Sequence, residues 1–126
     1  MATSQGVKLL SGNTGSAITV YRLVSLAADG FYDHTGADAE PHGVSAETVA
    51  TGGLAFPFAM PNGAVVKVEV GAAGVTRGTR LVAVADGKVV DGADAGAGNY
   101  WVGTALEAGS DGQIISMLFA PHRDDA

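Results

Sequence analysis

No window of about eleven residues carries apolar side chains at the i, i+3, i+4, i+7 spacing of an amphipathic helix. The apolar residues come instead in short runs bounded by Gly, Asp, Asn and Pro. That is the pattern of strands separated by tight turns, and it restricts this chain of 126 residues to an all-β fold. Strands are expected over 17–26, 54–60, 64–70, 79–85, 88–90, 99–105 and 113–119. Along the first, Ile18, Val20, Val24 and Leu26 share a face. Asp86-Gly87, set between Val84 and Lys88-Val89-Val90, reads as a hairpin turn with positive φ at both residues. Asp29-Gly30 and Asp111-Gly112 read as further turns of this kind. Pro57 lacks an N–H, so its strand is expected at a sheet edge, at a bulge, or turned toward a partner.

The strand pattern repeats. Arg22-Leu23-Val24 matches Arg80-Leu81-Val82 at an offset of 58, and Asp29-Gly30 matches Asp86-Gly87 at 57. Gly43, Glu47 and Gly52 match Gly103, Glu107 and Gly112 at 60. Phe58-Ala59 before Pro61 resembles Phe119-Ala120 before Pro121. The expectation is a small single-domain β-barrel or β-sandwich, 17–121, built by internal duplication. An extended, flexible N-terminal arm, 1–16, precedes it, and a short acidic tail, 122–126, follows. Residues 34–42 and 92–98 are expected as surface loops.

Composition narrows the function. Seven basic residues against thirteen acidic ones give a net charge of -6, which would repel nucleic acid. No apolar run is long enough to span a membrane, and the N-terminus lacks the basic-then-apolar layout of a signal peptide. Without Cys there is no disulfide framework, thiol nucleophile or thiolate metal site. A mean hydropathy of +0.24 with 16% charged residues argues against disorder.

No catalytic constellation emerges. His34 and His42 share a polar loop with Asp33, Asp38 and Glu40, but their spacing matches no metal motif. The serines lack a nucleophile elbow, and the Gly-rich run near residue 95 lacks the Lys-Ser/Thr and helix of a phosphate loop. The reading is therefore a non-enzyme without cofactor or metal. Candidate contact residues are apolar or repeated. Val7, Leu9 and Leu10 are the larger apolar side chains of the arm. Leu54, Phe56, Phe58 and Met60 fall on one strand face, which is either an inward core or a contact with a subunit or partner. Glu47 and Glu107 are candidate ion-pair partners of Arg22 and Arg80, linking the halves or two subunits, or else solvated surface residues.

These residues bring out a family likeness. Gly43-Val44 after a polar loop, Ala64-Val65-Val66-Lys67-Val68 and Gly74-Val75-Thr76-Arg77-Gly78-Thr79-Arg80-Leu81-Val82 carry it. So do Val102-Gly103-Thr104-Ala105-Leu106-Glu107-Ala108, Gly112 and the closing 114–121 run. Over about residues 15–121 the chain resembles the head-decoration, or capsid cement, proteins of tailed bacteriophages. The resemblance implies a small β-module on the outer surface of the virion capsid. Such a module binds the major capsid protein, usually as a homotrimer at three-fold positions, and stabilises the shell. It supplies no catalytic residues and does not fix which face meets the shell. Phe56-Pro57-Phe58 is more aromatic than the resemblance leads one to expect. A second class is a virion-displayed β-sandwich binding or adhesion module, with Tyr100-Trp101 and Phe31-Tyr32 as its aromatic groove.

Overall fold

A computed structural model describes residues 7–37, 39–92 and 100–123. The strands are β1 (Leu9–Asn13), β2 (Leu23–Leu26), β3 (Tyr32–His34), β4 (Gly43–Ser45) and β5 (Ala55–Ala59), then β6 (Val65–Glu69), β7 (Arg80–Val84), β8 (Lys88–Asp91), β9 (Tyr100–Ala105) and β10 (Ile114–Arg123). A 3-10 turn at Ala85–Gly87 joins β7 to β8. Two antiparallel five-stranded sheets form, in the orders β1-β5-β4-β2-β3 and β6-β10-β9-β7-β8. Adding five to each label of the first order gives the second. The isolated bridges repeat as well. Ile18 pairs with Val49 and Val75 with Gly109, both antiparallel, while Thr14 pairs with Tyr32 and Val70 with Val89, both parallel. The fold is thus a small all-β sandwich made of one motif used twice.

The core follows from strand alternation. Leu23 packs between the sheets with Val44 and Ala59 of the first and Val68, Leu81 and Phe119 of the second. Its neighbour Val24 faces the other way, into a cluster with Ile18, Val49, Phe56 and Phe58 on the outer face of the first sheet. Each such side chain fully removed from water contributes about 1.5–3 kcal/mol. Tyr32 closes the outer cluster, with its ring centroid 4.7 Å from that of Phe58 and 5.7 Å from that of Phe56.

The halves are also tied by charge. The Arg22 Nε–H donates to Glu69 Oε1 at 2.9 Å, and Lys88 Nζ lies 3.4 Å from Glu69 Oε2. Burial alone would raise the Glu69 carboxyl, but the Arg22 hydrogen bond and the two cations hold it below its ordinary value.

Several expectations change. Residues 9–13, expected within a flexible arm, form β1 and pair with β5 along their whole length. The strand escaped notice because its residues are almost all exposed, so it shows no buried alternation. Met1 to Gly6 lie outside the described residues. His122 and Arg123, expected in the tail, extend β10 opposite Trp101 and Tyr100; residues 124–126 lie outside the described residues. The expected loop at 92–98 lies outside them from residue 93 onward. The polar triplet of β3, at the start of the other expected loop, is a strand of only three residues.

Pro57 sits between two neighbours rather than at an edge. Its carbonyl accepts the Ala46 N–H at 3.0 Å, so the missing N–H faces the β4 side, just past the end of β4 at Ser45. Pairing with β1 is untouched. The Asp86-Gly87 turn has the expected positive φ values, 66° and 74°. It carries Ala85 as a third residue, because Val84 pairs with Lys88.

Candidate binding surface

Among the described residues, four of the eleven exposed large apolar side chains, Val7, Leu9, Tyr21 and Val65, gather at one cavity lined by both sheets. Leu9 is 57% exposed and Val65 50%. With Val7, Tyr21, Ala59 and Lys67 they line a cavity of about 220 Å³. β1 brings Leu9 to the face shared with Ala59, its partner in β5. β6 brings Val65 and Lys67 from the other sheet.

Tyr21 reaches the cavity from an unusual backbone. Its φ is 64°, a left-handed conformation that costs an L side chain about 1–2 kcal/mol. Its N–H donates to the Ser45 carbonyl at 3.0 Å, and its carbonyl accepts the Glu69 N–H at 2.8 Å. Buried Ser45 fixes the loop further, donating to the Thr19 carbonyl at 2.5 Å and accepting the Arg22 N–H at 3.2 Å. In the second half, Gly78 takes this place at an offset of 57, with φ 84° and its N–H on the Ala105 carbonyl at 2.8 Å.

The sequence-derived residues divide. Val7 and Leu9 line the cavity. Leu10 is exposed on the opposite face, beside Phe58. Leu54 is exposed and Met60 half-buried, its N–H on the Lys8 carbonyl at 2.9 Å. Phe56 and Phe58 are only 1% and 2% exposed, so both belong to the protein's own core and not to an interface. Within the chain neither Arg–Glu pair forms. Arg22 reaches Glu69, and Arg80 lies over the Trp101 ring, 5.3 Å from its centroid. Glu107 accepts the Ser116 N–H at 2.8 Å, and Glu47 is exposed. Tyr21, Val65 and Lys67 were missed. For Tyr21 the repeat gives no signal in the sequence, because Tyr21 directly precedes Arg22 while Gly78 lies two residues before Arg80; only the backbone bonds pair the two positions.

The remaining polar groups are structural. His34 Nε2 accepts the Thr19 N–H at 3.1 Å, and His42 Nδ1 accepts the Leu26 N–H at 2.8 Å. Among the described residues no group of three His, Asp or Glu could hold a metal ion; Asp38 lies outside them. No described helix is long and apolar enough to cross a membrane. The aromatic groove of an adhesion module does not assemble, since Trp101 is buried beneath Arg80.

Burial, then the Arg22 charge, lowers the His34 pKa below its ordinary 6.5, against weaker opposing effects of Asp86, Asp33 and Glu69. The fold therefore holds His34 neutral, in the state that accepts the Thr19 N–H. This contribution is present above pH 6.5 and is lost as pH falls toward the lowered folded value. Glu69 and Asp91, also lowered, add a second loss below their ordinary values of 4.5 and 3.8. Urea midpoints measured across this range should fall in two stages. His34→Gln, whose amide oxygen also accepts, should remove the first stage and leave the second.

The geometry defines a class: a duplicated two-sheet β-module with an apolar cavity beside its first strand. A solved structure of similar fold is the N base of the head fiber gp8.5 of bacteriophage phi29. The two superpose with a TM-score of 0.73 at 22% sequence identity, over 91% of this chain and 95% of that one. This likeness to a phage head protein is consistent with the decoration-protein resemblance carried by the residues. No family model matches the chain, and no curated protein matches it.

Proposed function

We propose that this protein is a structural component of a bacteriophage virion that binds the outer surface of the capsid and stabilises it. The carrying observation is the fold likeness to a phage head-fiber base along nearly the whole chain. The exposed apolar surface around β1 and β6 supports the same reading, because a cement protein acts by contact area. Its partners are the major capsid protein and, in a homotrimer at three-fold positions, itself. Val7, Leu9, Leu10, Leu54 and Met60 remain the contact candidates. The protein is not an enzyme and needs no cofactor. Its acidity suits the exterior of a DNA-filled shell.

Cryo-electron microscopy of the parent virion tests this. Density for the chain outside the shell at three-fold positions is expected, and its absence from the shell would overturn the reading. Leu9→Lys should lower occupancy on purified shells by about tenfold. The melting temperature should stay unchanged, because Leu9 is exposed.

A further inference from the structure

β1 has an unpaired stretch along its outer side, at Leu9 and Ser11. The Met60 N–H donates to the Lys8 carbonyl and the Thr14 N–H to the Leu54 carbonyl, each at 2.9 Å. These two bonds fix the even-numbered residues toward β5. The N–H and C=O of Leu9 and Ser11 therefore point away from the sheet, where no described strand pairs with them. Past Ser11 this side closes on β3, where Thr14 bridges Tyr32 and the Gly15 N–H donates to the Tyr32 carbonyl at 2.8 Å. A strand laid there would carry its inward side chains along the face of Leu9 and Ala59, over the cavity and toward Val65.

The cavity's chemistry narrows the occupant. The chain has thirteen carboxylates, but none lines it. Lys67 is the charged lining residue, and it makes no ion pair among the described residues. The first half also keeps Tyr21, 37% exposed in a left-handed conformation, where its duplicate uses Gly78. A glycine would serve the backbone, so the retained ring points to a use for the side chain. A second copy of the chain is a poor occupant. Its residues 7–13 hold no carboxylate to meet Lys67. Its edge strand β3 is three residues long around Asp33, and β8 already gives the Val89 carbonyl to the Gly71 N–H.

We infer that this groove receives an extended segment of the shell protein, added alongside β1, with an apolar side chain between Leu9, Tyr21 and Val65 and a carboxylate on Lys67. The inference rests on the capsid reading and specifies its contact. It is tested with the full chain and purified shells stripped of it. Tyr21→Gly should melt no lower than the parent, because glycine suits that backbone, yet lose about tenfold or more in shell affinity. Lys67→Glu should lose a similar factor. Ser11→Pro removes an outward N–H only, so it should weaken binding while Ser11→Ala does not. A benzoylphenylalanine photoprobe placed at Leu9 should cross-link to a carboxylate-bearing segment of the shell protein. Unchanged affinity in Tyr21→Gly, a lowered melting temperature in that variant, or cross-linking to a second copy of this chain would overturn the inference. Failure of the parent protein itself to bind shells would overturn the capsid reading instead.

Discussion

Phe56→Ala should destabilise the protein by about 3–5 kcal/mol, a large part of the roughly 5–15 kcal/mol available to a domain of this kind. The ring is 1% exposed and packs 5.6 Å, centroid to centroid, from Phe58. Truncation would leave a void that few neighbours can fill, because Ile18 and Val49 are fixed by their mutual backbone bridge. Leu54→Ala, two residues away on the same strand face in the sequence, should change stability by less than about 0.5 kcal/mol, since Leu54 is 50% exposed. Urea denaturation of the two variants measures the contrast. Equal midpoints would show that the aromatic cluster does not hold the first sheet and would restore Phe56 to the list of contact residues.

That pair also shows how far the residues alone can be read. Alternation places Leu54, Phe56, Phe58 and Met60 on one face, but it does not say what covers that face. The cover comes from Ile18 and Val49, single residues in loops, joined by one isolated bridge that has no periodic signature. The apolar runs of β5 to β7, β9 and β10 are legible because burial concentrates apolar residues in them, at alternate positions in β6 and at three consecutive positions in β7 and β9. β1, β3 and β4 are not. β1 is exposed, while β3 and β4 have three residues each, too few for a period. The binding surface was half legible for the same reason. Val7 and Leu9 stand out as apolar residues in a polar stretch. Val65 and Lys67 look like the ordinary solvent face of β6, and only packing of the second sheet against the first brings them to Leu9.

The two Asp-Gly turns extend the argument to the duplication itself, because identical dipeptides should respond very differently. Gly30 and Gly87 both have left-handed φ, 87° and 74°. A Cβ on Gly30 meets no atom within 4 Å, so Gly30→Ala should cost only the conformational strain, about 1 kcal/mol. A Cβ on Gly87 would be driven into the Leu23 carbonyl oxygen and would lie 3.0 Å from the Leu23 N. Both are backbone atoms of the first half, which cannot rotate aside. The Gly87 N–H is also held by the Thr35 carbonyl at 3.0 Å, so the turn cannot withdraw without losing that bond. Strain and overpacking together put Gly87→Ala at about 3 kcal/mol or more. A melting comparison of the two variants separates the roles. A much larger loss at Gly87 means that the second turn has become the joint between the halves, whereas equal losses would mean that neither Asp-Gly turn does more than reverse its own hairpin.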